Sequence, residues 1–523
     1  MPTVDPERIP VVVSWGQCLE RDALVRPVEL MAVAAKQALA AAPGLRDRLD
    51  RLSVVNVVGR VGAAPATALA GLLEVDPPVR ETTTIGGNTP QWLVNRAAGQ
   101  IARGELRATL IAGAEALRSS RERRRLRAAG REVPGPGDGT DGNGQAAPPD
   151  PVVGDDHPGA GPAELAINLI LPLHVYALLE SVVAARAGHS AGEHRLAMGA
   201  LLAPFTDVAA GHPVAWFPEP RSAAEIAEPG PDNRIVAQPY TKRMTAFLGS
   251  DQAAAILVCS LDEARRAGLA DQAVFVWAGA DSVDVRSPTA RPDPGTSPAI
   301  AAAGRALFRA AGEAAGRAVT LDDVARIDLY SCFPSAVELA ADALGLATDD
   351  PRGLTVTGGL PYFGGPGNNY TTHSIATLCE RLRSSGGDSS GGSGQPELGL
   401  ATGLGWFVTK HALGLYGAGP PPGGFRAGDT AGDQRAIDAS AVPTPLEVPE
   451  GTVATVVAAT AVPDDAGSIV AAPVIARLAG GQHVAAMPAS DEVAAAMGSL
   501  DPVALVGTPL TLGGSPPRYR LDA

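Results

Sequence analysis

Residues 358–378, "GGLPYFGGPGNNYTTHSIATL", place five glycines, two prolines and two asparagines in their first twelve positions before a helical pattern begins. That much Gly and Pro on one turn brings backbone close to something, and the residues around it could do chemistry. Asn368 and Asn369, like Asn88 in "TIGGNTP", are of the type that caps helix N-termini or donates to a carbonyl oxygen. Plain turn chemistry is the competing reading for all three. Tyr370 and His373 open the helix that follows. Tyr330, Ser331 and Cys332 close the strand pattern "RIDLYSCF", where Tyr330 and Cys332, two residues apart, share a face. A Cys–His pair would supply a nucleophile and its base. Cys332, however, reads as buried and inert. His373 reads as a structural residue of its helix, and His411 in "VTKHALGLY" as part of a final helix.

These residues need elements to hold them, and the chain supplies an alternation. "IPVVVSWG" and "RLSVVNVVG" are apolar strands separated by the helical "PVELMAVAAKQALAAA". "TPQWLVNRAAGQIARGE" is a helix with Asn88 or Thr89 as N-cap and Pro90 in its first turn, and "RATLIAGAEAL" is a buried strand. The same order returns as "AVFVWAGAD", "AIAAAGRALFRAAGEAAG", "RIDLYSCF", "SAVELAADALG" and "GLATGLGWF". Strands alternating with helices predict a layered α/β fold in two halves. Between them, about 130–240, lies a different segment, opening on a Gly/Asp/Pro-rich insertion near 133–160 that reads as mobile, as does 384–397. From about 425 the runs "GTVATVVAATAV", "SIVAAPVIARLA" and "HVAAMPA" predict a small β-rich domain.

Composition narrows the function. A chain of 523 residues has room for two to four domains, and 45% apolar with 19% charged residues is globular. A net charge of −14 disfavours a general nucleic-acid binder. The arginine run Arg118–Arg127 reads as a solvated helix face, with a ligand's phosphates or an acidic partner as the alternative. Four cysteines without a CxxC pair exclude a zinc-ribbon or disulfide framework and point to a reducing cytoplasm. "AINLILPLHVYALLESVV" is the most lipid-like stretch, but Asn168, Pro172, His174 and Glu180 make it a buried or pocket-lining helix rather than a membrane span.

Three segments carry a family resemblance. "IARGELRATLIAGAEALRSS" resembles the thiolase stretch leading to a G-x-E-S-M-S-like segment. "RIDLYSCFPSAVELAADALGL" resembles the N-E-A-F segment, and more closely the H-D-C-F version of sterol-carrier-protein-type thiolases. Residues 358–371 resemble G-G-x-x-x-x-G-H-P-x-G-x-x-G without a gap. The chain thus resembles the thiolase superfamily, as a bacterial acetyl-CoA acetyltransferase-like protein with an additional C-terminal domain. The resemblance implies two βαβαβαββ halves in a five-layered α-β-α-β-α body. The expected division is 1–129 with 241–265 for the N-terminal half, 130–240 for a loop domain, 266–417 for the C-terminal half, and 425–523 for the extra domain.

It also implies where catalysis should sit. The acylated cysteine falls on Gly87, its activating histidine on Gly365, and the second cysteine on Gly403 or Leu404, so none of the thiolase catalytic set remains. The N-E-A-F polar residue falls on Tyr330. The candidate pocket is then Asn88, Thr89, Tyr330, Ser331, Cys332, Asn368, Asn369, Tyr370 and His373, with Lys242 and Arg243 toward the nucleotide end of CoA. The expected function is acyl-CoA binding in acyl-CoA or lipid metabolism without ordinary thiolase activity. Its alternatives are a tyrosine-dependent thiolase-like aldolase, with Tyr330 and Tyr370 as acid and base, or a non-catalytic scaffold. Coenzyme A or acyl-CoA is the expected ligand, with no metal and no covalent cofactor. The expected state is a cytoplasmic monomer or homodimer, and another acyl-CoA enzyme is a candidate partner.

Overall fold

The computed structural model describes residues 4–59, 61–133, 148–385 and 396–521. Two sheets of like construction form its body. In the first, strand Arg51–Val54 pairs in parallel with Ala108–Ala116, followed antiparallel by Asp251–Ser260 and Pro10–Leu19. In the second, Val324–Asp328 pairs in parallel with Leu398–Gly405, followed antiparallel by Lys410–Gly417 and Val274–Val283. Order and sense are the same. The two sheets join where Val11 and Val12 pair with Phe275 and Val274.

Helices fill the layers outside and between. Pro27–Ala40 packs on the outer face of the first sheet and Pro298–Ala315 on that of the second. Thr89–Arg103 and Tyr370–Ser385 lie between the sheets, where Val94, Ala97 and Ala98 of one and Ile375, Ala376 and Cys379 of the other meet Val12, Ile256, Val258, Val276 and Tyr416. The small side chains allow the sheets to close on these two helices. The result is the α-β-α-β-α body that the resemblance implies. Strands buried on both faces, such as Leu398–Gly405 and Lys410–Gly417, follow from being sandwiched by helices.

Two local expectations are corrected. His411 lies on strand Lys410–Gly417, not on a helix: the run is rich in small residues, and both neighbouring strands are hydrogen-bonded to it. The strand read through "RIDLYSCF" ends at Asp328. There the buried Asp328 carboxylate accepts the Val356 N–H (2.8 Å) and the Thr355 hydroxyl (3.0 Å), which turns the chain. Tyr330 and Cys332 therefore stand on a turn, outside strand alternation.

The segment between the halves is largely helical. Pro172–Arg186 and Ala191–Ala210 are its main elements, and the former is the lipid-like stretch, buried from Val175 to Val182. No helix of the described residues is long and apolar enough to cross a membrane. Of the two runs read as mobile, 134–147 and 386–395 lie outside the described residues. The described part of the first includes Val152–Val153, which extends the first sheet beside Val79–Thr83.

Beyond the second half, Arg426–Ala427 pairs with Val274–Val283, and helix Ala431–Ala439 sets Ile437 against Ala299 and Ala302. A closed five-stranded barrel follows, built from Val448–Ala459, Val474–Arg477, His483–Pro488, Pro509–Gly514 and Arg518–Arg520. Val456, Val474, Val484, Leu510, Leu512 and Tyr519 fill it. The barrel docks on the middle segment. The Ala459 N–H donates to Ser181 Oγ (3.1 Å), the Gln238 N–H to the Ala461 carbonyl (2.9 Å), and the Thr460 hydroxyl to the Gln238 carbonyl (2.7 Å).

Candidate functional site

The two inner helices start side by side, each behind a glycine loop, and the chemistry-bearing positions gather at those starts. The loop before Tyr370–Ser385 needs its glycines. Gly364, at φ 114°, presses against the Gln252 amide, and a Cβ on Gly367, at φ 54°, would stand 2.5 Å from Glu115 Oε1. The loops are braced to each other. The Thr371 hydroxyl donates to the Gly87 carbonyl (2.8 Å), and the Gly86 N–H donates to Asn368 Oδ1 (3.0 Å).

Gly87 has no room for a side chain. A Cβ there would overlap Tyr330 Oη and stand 2.6 Å from the Leu404 carbonyl oxygen and 2.7 Å from Tyr330 Cζ. The phenol of Tyr330 thus occupies the space a side chain at 87 would use. The Tyr330 N–H is fixed by donation to Thr402 Oγ1 (2.9 Å), and its ring meets that of Tyr370 edge-on, centroids 5.5 Å apart. Tyr370 is itself held: its hydroxyl lies 2.6 Å from Thr357 Oγ1 and donates to Asp328 Oδ1 at 3.3 Å. Burial raises both phenols above the ordinary tyrosine range, so at neutral pH they are neutral donors.

Gly365 is closed from the other side. Its N–H donates to the Phe247 carbonyl (2.8 Å), and a Cβ on it would stand 3.1 Å from that oxygen and 3.2 Å from Leu248 Cδ2. A Cβ on Gly403 would lie 2.9 Å from Asn88 Cα, and Leu404 is buried and apolar. Cys332 keeps its proton, because burial pushes its thiol up to about 12.

The remaining candidates divide by what they touch. The Asn369 amide donates to the Gly113 carbonyl (2.7 Å), that of Asn368 to the Asn56 carbonyl (3.0 Å), and the Thr89 hydroxyl to the Gly86 carbonyl (2.8 Å). These groups brace the loops. Asn88 is the N-cap of its helix without a side-chain cap bond, and its Oδ1 is buried without a partner between Gly86 and Gly405. Ser331 Oγ lies beneath Gly359. His373 points away from Tyr330 toward the first sheet, its Nδ1 2.8 Å from Gln17 Oε1; burial holds the imidazole down to about 3 and so neutral. Lys242 is exposed, and Arg243 donates to the Glu225 carbonyl (2.7 Å). Both sit just upstream of Ala246, whose N–H donates to the Cys332 carbonyl (2.9 Å).

Some of the site's neighbours carry no motif. Trp216 and Phe217 hydrogen-bond through their N–H groups to the Phe363 and Tyr362 carbonyls, and the Phe217 and Phe247 rings meet edge-on at 4.7 Å. The aromatic doublet in "AWF" could have flagged this wall. Glu115, by contrast, is the acid of the G-x-E-like segment; it accepts the Val58 and Gly59 N–H groups, and burial raises its carboxyl to about 7.

No protein-family model matches the chain, and no curated protein does. Solved structures do. A monomeric SCP2-thiolase-like protein type 1 from Mycobacterium smegmatis is 30% identical, aligned over 99% of this chain and 100% of its own, with a TM-score of 0.80. An Ltp2–ChsH2(DUF35) aldolase has 16% identity over 79% of this chain and 98% of its own, with a TM-score of 0.57. An acetyl-CoA acetyltransferase from Syntrophomonas wolfei has 13% identity over 78% and 99%, with a TM-score of 0.54. The last two share the fold of the body. With the first related along its whole length, the chain belongs to the thiolase superfamily, as an SCP2-thiolase-like protein with an extra C-terminal β-barrel domain.

Proposed function

We propose that this protein binds CoA thioesters without performing thiolase chemistry, and that Tyr330 presents a hydrogen-bond donor where the superfamily's nucleophile would stand. The observation that carries this reading is the Tyr330 phenol filling the side-chain space of Gly87. Covalent catalysis there needs a thiolate and a base. Position 87 has neither the side chain nor the space, position 365 has no side chain, and Cys332 holds its proton. A neutral phenol beside the start of a helix is still a donor for a thioester carbonyl. Lys242 and Arg243, on the approach past Ala246, are the proposed contacts for the CoA phosphates. The test is calorimetry with acetyl-CoA and a longer acyl-CoA. Micromolar to millimolar binding, about −4 to −8 kcal/mol, supports the reading; no heat and no thermal shift at millimolar ligand leaves a scaffold role.

A second reading rests on the Tyr330–Tyr370 pair. Two phenols whose ring centroids lie 5.5 Å apart could serve as acid and base in retro-aldol cleavage of a β-hydroxyacyl-CoA, and one fold neighbour is an aldolase. That reading requires turnover lost in both Tyr330→Phe and Tyr370→Phe.

A further inference from the structure

Two glutamates and a histidine from three helices meet in the interior, away from the two glycine loops. Glu180 lies on Pro172–Arg186, His194 on Ala191–Ala210 and Glu338 on Pro334–Leu344. His194 Nε2 is 2.7 Å from Glu180 Oε1 and 3.8 Å from Glu338 Oε1, and the three atoms lie within 4.8 Å of one another. Glu180 and His194 are almost fully buried, and the Glu338 side chain is 13% exposed. Among the described residues neither carboxylate pairs with a lysine or arginine. Two buried carboxylates that close repel each other unless a cation or a shared proton lies between them.

The surroundings are arranged as ligand support. The Tyr240 hydroxyl donates to Glu180 Oε2 (2.6 Å) and sits 2.8 Å from Ser335 Oγ, which leaves Oε1 to face inward. His194 Nδ1 is 3.4 Å from Nδ1 of the half-buried His189, which leaves Nε2 to face the carboxylates. Glu338 Oε2 is buried with no partner. Glu180 and His194 are thus each oriented by a contact on the far side, as the ligands of a metal centre are, while Glu338 has none on its outer oxygen. Three ligands at zinc bond lengths stand about 3.4 Å apart around a tetrahedral ion, a value that the 2.7 and 3.8 Å separations from His194 Nε2 bracket.

The geometry points to a divalent transition-metal site, of the Zn²⁺ class, with His194 Nε2, Glu180 Oε1 and Glu338 Oε1 as ligands. One imidazole and two carboxylates suit a borderline ion more than a soft one. The position also suits a fastening. Ser181, next to Glu180, accepts the Ala459 N–H of the barrel, and Gln238, two residues before Tyr240, is bonded to Thr460 and Ala461. An ion there would tie three helices together directly beneath the barrel's docking surface.

The full-length chain, stripped with EDTA, is titrated with Co²⁺ and Zn²⁺ and its metal content measured after gel filtration. Expected are one equivalent per chain, visible Co²⁺ ligand-field bands without a thiolate charge-transfer band, and a rise in melting temperature on reloading. Glu338→Gln and His194→Gln should lose the retained metal, and Tyr240→Phe should weaken binding by about tenfold or more. His157→Gln, in the exposed Asp155–His157 group, should leave it unchanged. Circular dichroism checks that each variant is folded. If Glu338→Gln and His194→Gln both unfold, the parent's Co²⁺ spectrum decides alone. The inference is overturned if the parent retains no metal and shows no ligand-field bands, or if folded Glu338→Gln and His194→Gln bind as the parent does.

Discussion

The glycine loops at Gly87 and Gly365 and the cluster at Glu180, His194 and Glu338 are built in opposite ways. At the first, backbone does the specifying: paired glycine turns, braced by Thr371, Asn368 and Asn369, survive around positions that carry no reactive side chain. At the second, side chains do it: regular helices with no special backbone point ionisable groups at one another. The glycine frame is hard to alter, because its turns also hold the inner helices against both sheets. The side chains carried on it can change one residue at a time. The reverse holds for a cluster on helices, which any one substitution can erase without disturbing a turn.

The largest expected effect concerns the frame. Acetoacetyl-CoA thiolysis and synthesis should stay at background, since the missing covalent route is worth many orders of magnitude. Turnover abolished by Cys332→Ala would break the comparison by restoring a nucleophile to the site. Next come the histidines behind the loop. His212 Nε2 lies 2.9 Å from Thr377 Oγ1, and burial lowers its imidazole to about 4, as it lowers His373 to about 3. The unfolded chain binds these protons near 6.5, so between that pH and the folded values it holds more protons than the native state. Stability from each histidine is therefore full above pH 6.5 and falls on acidification, by about 1.4 kcal/mol per pH unit. Glu115, raised to about 7, and Asp281, likewise, act with the opposite sign. Denaturant melts of parent and His212→Gln at pH 4.5 to 7 should show the gap between them close as pH falls. A constant gap would mean that His212 takes up its proton as readily in the fold as in the unfolded chain.

Refilling the nucleophile position is the third test. Gly87→Cys forces a side chain onto the Tyr330 phenol and should cost about 1–3 kcal/mol by overpacking. Combined with Tyr330→Ala, which opens the same space, the two costs should sum to more than the double mutant shows. Strict additivity in melts would place the phenol elsewhere.

The two regions also differ in how far the sequence discloses them. The body is legible because each strand and helix is a local pattern, and the second half repeats the first in order. The barrel is legible from the alternation in "GTVATVVAATAV". His411 is misread because "KHALGLYG" has no clean period: both faces are buried, so neither a helical stripe nor alternation shows. The glycine positions can be aligned, but the sequence cannot say that Tyr330's ring turns toward Gly87, which depends on the strand ending at Asp328. Glu180, His194 and Glu338 share no spacing, since three packed helices bring them together. Of these, Glu180 alone signals itself, as a charge in an otherwise lipid-like run.

The smallest effect tests the donor itself. Tyr330→Phe keeps the ring that fills the space beside Gly87 and removes only the hydroxyl, so the loops and the edge-on contact with Tyr370 are preserved. Stability should change little, because no cavity larger than one oxygen is left. If a thioester carbonyl accepts from that hydroxyl, acyl-CoA binding should weaken by about 0.5–1.5 kcal/mol, the net value of one neutral hydrogen bond, or up to roughly tenfold in Kd. Free CoA has no thioester carbonyl, and its binding through the nucleotide end should be unaffected. The contrast between the two ligands separates a lost donor from a general loosening of the site. Equal weakening for both would mean that Tyr330 acts through packing. No change for acyl-CoA would remove the phenol from the binding site and leave the glycine frame without a ligand-facing group from Tyr330.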